Sequence, residues 1–214
     1  AGDGLLQKIA SAPRTGIVGP FPSAIIDAVA AYRPEAVTDL RSMDGQHQFI
    51  VALREILVVP SLRETPAIAD YIRYLQTISA HFAFVDRFFP TANPRAREGS
   101  ADFHGKPNSV GEIISIAHQL YVLKSYGVEG DFAEFGCFKG FSSSMLSFAC
   151  KQLDLKMHIF DSFEGLPEAK HSGYTAGDYA GSLEEVSENI RRLGSVDQGT
   201  FHKGFYADTF REYR

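Results

Sequence analysis

Residues 131–161 read DFAEFGCFKGFSSSMLSFACKQLDLKMHIFD, in which two short apolar runs flank a glycine-containing turn and a helical stretch. The runs DFAEF (131–135) and LKMHIF (155–160) predict β-strands, and the periodicity between them predicts a helix over 142–153. A strand, a glycine turn and a helix form the opening of a βαβ unit, whose strands run parallel. We therefore expect an α/β fold with a parallel sheet in this half of the chain.

The alternation of helix and strand continues beyond residue 161. The segment SLEEVSENIRRL (182–193) predicts a helix, with Ser182 and Glu185 at the spacing of a capping box. Residues 200–202 predict a third strand. The connections between parallel strands cross over with a right hand, and the helices in these connections cover the faces of the sheet.

The first half of the chain has helical rather than strand periodicity. Apolar residues recur at helical spacing over four stretches, 23–32, 47–59, 66–89 and 109–127. We expect Ser23 to cap the first helix and Gly127 to be the C′ residue of the last. These stretches predict a helical region before the sheet.

The segment PTANPRAREGSADFHGKP (90–107) separates the helical region from the sheet region. Its three prolines and scarce large apolar residues predict a linker, either a plain connection or a lid over a substrate. We expect two regions, a helical region with its linker at 1–106 and a sheet-containing domain at 107–214.

The composition is that of a globular protein of one or two domains. The 214 residues are 44% hydrophobic and 22% charged, and 21 Lys and Arg against 26 Asp and Glu give a net charge of −5. An acidic balance argues against a nucleic-acid partner. No uncharged apolar run approaches the ~18 residues of a membrane span, and two cysteines suit a reducing compartment. We expect a soluble, cytoplasmic protein without a membrane partner.

The turn after the first predicted strand has the form E-x-G-x-x-x-G, from Glu134 through Gly136 to Gly140. Glycine lets the backbone turn sharply and approach a ligand, and ligands of parallel sheets collect beyond the carboxyl ends of the strands. Asp161 stands at the end of the second predicted strand, where a carboxylate can accept both hydroxyls of a ribose. The pattern predicts a nucleoside site at this edge of the sheet.

Two phenylalanines distinguish this turn from the dinucleotide fingerprint G-x-G-x-x-G. Phe138 stands where the second glycine is needed, and position 141 is also Phe. A pyrophosphate would meet an obstructed loop, so a nicotinamide-dependent oxidoreductase is disfavoured. A ligand with a nucleoside but no phosphates fits better, and S-adenosylmethionine is the common one.

The strings GDFAEFGCFKGFSSSML (130–146) and FDSFEGLPE (160–168) together resemble the macrocin O-methyltransferase (TylF-like) family of class I S-adenosylmethionine-dependent methyltransferases. The segments SLEEVSENIRRL and FHKGFYADTF (201–210) follow in the family's order, so the resemblance covers about 109–210. It implies a Rossmann-like sheet and the transfer of a methyl group to a hydroxyl of a small molecule, a sugar or a glycosylated natural product.

The resemblance also implies which residues hold the cofactor. Three residues of the glycine turn would shape the pocket for the methionine part, and the acid after the second strand would hold the ribose. The residues next to that acid would lie beside the nucleoside, with an aromatic ring on the adenine. The implied set is Glu134, Gly136, Gly140, Asp161, Ser162, Phe163, Ser109, Lys203 and Gly204.

The family's fourth strand, with its acidic motif for a divalent metal such as Mg²⁺ and for the catalytic base, has no counterpart before Arg214. The sequence therefore predicts a sheet truncated after its third strand, and it assigns neither a metal ligand nor a catalytic residue. Four side chains near the predicted carboxyl-end loops are open candidates for the base, although solvated loop residues are the plainer interpretation. These are His171, His202, Glu164 and Asp178.

Two hypotheses from different classes follow. In the first, the chain is an O-methyltransferase whose N-terminal helices cap the pocket or form a homo-oligomer. In the second, it is a non-catalytic module that retains a methyltransferase-like fold, binds the cofactor and uses its aromatic helices for a protein partner. A continuation of the sequence bearing an acidic pair after a fourth strand would favour the enzyme.

Overall fold

The computed structural model describes residues 21–40, 42–89, 108–168 and 174–212. The chain divides into two compact units, one of residues 1–76 and 119–128 and the other of residues 77–118 and 129–214. The boundary expected between residues 106 and 107 lies outside the described residues and stays a prediction, as does the linker at 90–107.

All four predicted N-terminal helices are present, with ends shifted by a few residues. The helices before the sheet are α1 (Ser23–Tyr32), α2 (Met43–Val58), the short α3 (Pro60–Arg63), α4 (Pro66–Val85) and α5 (Val110–Ser125). Helix α2 begins earlier than its apolar pattern because the Ser42 hydroxyl accepts the N–H of Gly45 at 3.0 Å and caps it. Among the described residues, none of the helices has both the length and the apolar character needed to span a bilayer.

The start of α1 differs from the sequence-based expectation. Pro22 occupies the N-cap position, and Ser23 is the first helical residue rather than the cap. The Ser23 hydroxyl donates instead to the carbonyl of Ser125 at 2.8 Å, and the Ser23 N–H donates to the Ser125 hydroxyl at 3.0 Å. The prediction was wrong because the Ser23 side chain, which would have capped α1, forms a hydrogen bond to Ser125, a distant residue at the end of α5.

The first unit is stabilised by a core between its helices. Ile25 and Val29 of α1, Phe49 and Ile56 of α2, and Ile68 of α4 are almost fully buried in one cluster. Their spacing along each helix places them on one face, which is why the periodicity predicted these helices. Burial of each large apolar side chain contributes about 1.5–3 kcal/mol.

The sheet of the second unit confirms the predicted α/β class. Strands β1 (Phe132–Phe135), β2 (Met157–Asp161) and β3 (Gly199–Lys203) pair in the order β1-β2-β3, and both pairs are parallel. Helices α6 (Phe141–Gln152) and α7 (Leu183–Leu193) connect the strands, and α8 (Tyr206–Glu212) follows the last one. The parallel pairing brings the carboxyl ends of all three strands to one edge.

The predicted cap of α7 is confirmed, because the Ser182 hydroxyl accepts the N–H of Glu185 at 3.1 Å. We expect Ser182→Ala to lower the free energy of unfolding by about 1 kcal/mol, since this N–H loses its acceptor. Ser187→Ala is the control, because that hydroxyl donates to the carbonyl of Leu183 within the helix and caps nothing. Urea denaturation measures the free energy of unfolding of both variants, and an equal decrease in the two would contradict the capping role.

Candidate functional site

A cavity of about 760 Å³ lies beyond the carboxyl ends of the strands. The loops after β1, β2 and β3 each contribute to its wall, through Gly136, Ser162 and Gly204 respectively. Tyr179, from the segment before α7, and Tyr206 of α8 also line it. Pockets for small ligands are typically about 300–1,000 Å³ and mostly apolar, so this cavity is the candidate site of the second unit.

The glycine turn after β1 depends on backbone conformations that favour glycine. Gly136 has φ of 85° and Gly140 has φ of 79°. Gly136 lines the cavity, whereas Gly140 is the N-cap residue of α6 and is not part of the wall. A Cβ at Gly140 would lie 3.2 Å from a methyl of Val186. Gly140 therefore lets α7 approach the turn from behind the cavity.

Glu134 lies beneath the turn rather than in the cavity wall. Its two carboxyl oxygens accept the hydroxyls of Ser142 and Ser143 in the first turn of α6, each at 2.5 Å. Burial raises the pKa of Glu134 to about 7, the two serine hydrogen bonds oppose this, and the nearby Asp161 adds to it. Glu134 is thus a carboxyl group that changes charge close to neutral pH.

Asp161 ends β2, is only 9% exposed and lines the cavity. One carboxylate oxygen accepts the N–H of Cys137 at 2.8 Å and that of Phe138 at 3.4 Å, and the other accepts the N–H of Phe163 at 2.8 Å. Its main-chain carbonyl accepts the N–H of Gly204 at 2.9 Å. Asp161 thereby accepts hydrogen bonds from the loops that follow all three strands.

The two residues after Asp161 take different positions. Ser162 lines the cavity, and its hydroxyl donates to the carbonyl of Gly165 at 2.7 Å. Phe163 is buried with φ of 56°, and its ring packs edge-on to Phe201 with centroids 6.2 Å apart. Phe163 is therefore a packing residue of the loop and is not part of the cavity wall.

The remaining predicted residues flank the cavity. Ser109 is exposed and forms a capping box with Glu112, whose N–H donates to the serine hydroxyl at 3.2 Å while the serine N–H donates to the glutamate at 2.7 Å. Its neighbour Asn108 lines the cavity instead. The ammonium of Lys203 lies 3.1 Å from the carboxylate of Glu164. Of the predicted set, the cavity brings together Gly136, Asp161, Ser162 and Gly204.

None of the three described candidates for the base lines the cavity. His202 lies on β3, stacked on Phe160 with ring centroids 4.2 Å apart, and burial and the neighbouring His158 lower its pKa. Glu164 pairs with Lys203, as described above. Asp178 is buried and accepts the N–H of Thr175 at 2.7 Å. His171 lies outside the described residues.

Several wall residues were not predicted from the sequence. Leu166 and Pro167 belong to the string FDSFEGLPE and Tyr206 to FHKGFYADTF, so a wider use of those strings would have found them. Tyr179 had no such signal, because it lies outside both strings. It is a non-glycine residue with φ of 57°. Its ring packs edge-on to Phe138, with centroids 5.6 Å apart.

Within the described part of the chain, no group of three or more His, Cys, Asp or Glu residues could hold a metal ion. The architecture around the cavity is that of Rossmann-like α/β proteins, with a ligand site beyond the carboxyl ends of parallel strands. The glycine turn and the acid after β2 belong to this class of site.

Comparison with known proteins finds a family similarity over the C-terminal part of the chain. Residues 115–214 match the family model described as Macrocin-O-methyltransferase (TylF), which confirms the resemblance found in the sequence over this segment. The solved structure of the O-methyltransferase NovP is 22% identical with a TM-score of 0.49, over 64% of this chain and 66% of that chain. The chain thus spans slightly less than two thirds of the length of that structure. No curated protein sequence matches the chain significantly.

Proposed function

We propose that this protein is an S-adenosylmethionine-dependent O-methyltransferase that acts on a hydroxyl of a small molecule. The cavity at the carboxyl edge of the sheet carries the proposal, because every residue of its wall except Asn108 lies within the segment that is similar to the macrocin O-methyltransferase family. Its wall contains Gly136 and Asp161, the residue types that the sequence predicted for a nucleoside ligand without phosphates. The alternative of a non-catalytic cofactor-binding module stays a prediction.

The residues at the cavity fit the proposed cofactor. At Gly136 an added Cβ would lie 3.3 Å from the hydroxyl of Tyr206, so glycine leaves room that a side chain would take. The polar side chains of Asp161 and Ser162 stand beside the apolar walls of Phe138 and Leu166. An adenosine group, with a flat apolar face and polar edges, suits such a wall.

S-adenosylmethionine supplies an electrophilic methyl group on its sulfonium. The chain's part in an in-line transfer is to hold the acceptor hydroxyl and the cofactor together and to exclude water. Phe138, Leu166, Pro167 and Phe205 give the cavity the apolar surface for both tasks. The acceptor that we propose is a sugar or a glycosylated natural product, as the resemblance of the sequence to the macrocin O-methyltransferase family implies.

Calorimetric titration of the 214-residue chain with S-adenosylhomocysteine, the demethylated product, tests the cofactor site. We expect saturable binding of one ligand per chain, and no binding of NAD⁺, because Phe138 obstructs a pyrophosphate. Circular dichroism beforehand establishes that the protein is folded. A folded chain that gives no heat with S-adenosylhomocysteine would contradict the proposal.

A second assay separates the enzyme from the binding module. The chain is incubated with S-adenosylmethionine labelled in its methyl group and with a panel of sugar-bearing acceptors, and label is sought in the product. Transfer to a hydroxyl supports the enzyme. Tight binding of S-adenosylhomocysteine without transfer to any acceptor favours the non-catalytic module.

A further inference from the structure

We propose that Asp161 is a positioning residue, whose carboxylate holds the two loops of the cavity in left-handed conformations, rather than a direct ligand of the ribose. The role in cofactor binding rests on the proposed function. The arrangement in which the Asp161 carboxylate accepts backbone N–H groups of both loops, called the clamp below, does not depend on a bound ligand. The two loops are residues 136–138, after β1, and residues 162–165, after β2. They are called the first loop and the second loop below.

The hydrogen-bonding capacity of the Asp161 carboxylate is largely used within the protein. An ionised carboxylate has about four lone-pair sites for hydrogen bonds. Three of them face backbone N–H groups, of Cys137 and Phe138 on one oxygen and of Phe163 on the other. Two ribose hydroxyls would have to share what is left on a side chain that is 9% exposed.

The two phenylalanines that donate to Asp161 both have strained backbones. Phe138 has φ of 49° and Phe163 has φ of 56°, a region that residues with a Cβ rarely adopt. Each loop thus places one strained, non-glycine residue with its N–H directed at the same carboxylate. Hydrogen bonds to an ionised acceptor are stronger than neutral ones, so the carboxylate stabilises both unfavourable conformations at once.

The clamp determines the shape of the cavity because the first loop forms part of its wall. Phe138 lines the cavity, and behind it the loop is in close contact with Gly181, where an added Cβ would lie 2.0 Å from the carbonyl oxygen of Phe138. The bond from Gly204 to the main-chain carbonyl of Asp161 does not depend on the side chain. A side-chain substitution therefore releases the first and second loops and leaves the loop after β3 attached.

Asp161→Asn separates the clamp from direct ribose binding. Asparagine has nearly the same size, but one of its two ends is an NH₂ donor, which must then face a backbone N–H. Asp208→Asn is the matched control, because Asp208 also lines the cavity and is exposed on α8. It removes the same charge from the same cavity.

The first readout is the affinity of each variant for 5′-methylthioadenosine and for its 2′,3′-dideoxy analogue, measured by calorimetry. A clamp predicts that Asp161→Asn weakens both ligands by the same factor, about tenfold. A direct ribose ligand predicts a loss confined to the nucleoside that has its hydroxyls. That second result would overturn the proposal.

The second readout needs no ligand, so it stands even if the wild-type chain binds neither nucleoside and the proposed function fails. Asp161→Asn should lower the urea midpoint more than Asp208→Asn does. In a Phe138→Gly background, where glycine tolerates the positive φ, the shift caused by Asp161→Asn should fall to half or less. If Asp161→Asn alone does not fold, the double variant should restore folding. Equal shifts in both backgrounds, or no rescue, would contradict the clamp.

Discussion

Gly165→Ala should lower the free energy of unfolding by about 2–4 kcal/mol and disturb the cavity. Gly165 has φ of 85°, and an added Cβ would lie 2.5 Å from the carbonyl oxygen of Gly177 and 2.6 Å from that of Asp178. The Asp178 oxygen cannot move away easily, because it accepts the N–H of Leu166 at 2.8 Å. The Gly177 oxygen is held in place through its own residue, since the Gly177 N–H donates to the carbonyl of Leu166 at 2.9 Å. Gly165 and Leu166 both line the cavity, so ligand affinity should fall as well.

Gly177→Ala is a control that differs in one respect. Gly177 also has φ of 85°, but a Cβ there would meet nothing within 4 Å. Gly177→Ala should therefore lower the free energy of unfolding only by the cost of the left-handed conformation, about 1–2 kcal/mol. Urea denaturation of both variants and titration with S-adenosylhomocysteine provide the comparison. If the two variants lose the same stability, the close contact at Gly165 does not explain why the loop needs glycine.

The fold of the second unit was predictable because its signals are local. The apolar runs at 131–135 and 155–160 are short and the stretch between them has helical spacing, so β1, α6 and β2 follow from neighbouring residues alone. The start of α1 was not predictable in this way. Ser23 has the right residue type for a cap, but its partner Ser125 is 102 residues away in the sequence.

The candidate site was predictable where topology decides the position. Gly136, Ser162 and Gly204 follow three strands whose carboxyl ends must meet at one edge, so they line one cavity. The side-chain roles were harder to predict. A phenylalanine such as Phe138 gives no sign in the sequence that its backbone is left-handed, because that conformation is enforced by Asp161 at the end of β2.

Glu134 illustrates the same limit within β1. Its place in the glycine motif predicts a role in the pocket, yet Ser142 and Ser143 at the start of α6 bind its carboxyl group beneath the turn. The serines are visible in the sequence as FSSSML, but their hydroxyls could equally have capped the helix or faced solvent. The pairing depends on how α6 packs on the strand.

This pairing leads to the prediction that Glu134→Gln removes a pH dependence of stability. The pKa of Glu134 is raised by burial from 4.5 to about 7 in the folded chain, so between these values the folded state holds a proton that the unfolded state has lost. The associated stability is fully present below pH 4.5 and is lost as the pH rises through 7. The wild-type chain should therefore lose roughly 2–3 kcal/mol of unfolding free energy over this range from Glu134.

Glutamine resembles the protonated carboxyl in size and neutrality, so Glu134→Gln should be close to wild type at pH 4.5 and more stable than wild type at pH 8. Urea denaturation at half-unit intervals of pH measures the difference between the two proteins. Glu129→Gln, an exposed position just before β1, is the control and should follow the wild-type profile. A difference between Glu134→Gln and wild type that is constant across the range would mean that Glu134 does not titrate there. In that case the two serine hydroxyls stabilise the ionised carboxylate enough to overcome the cost of its burial.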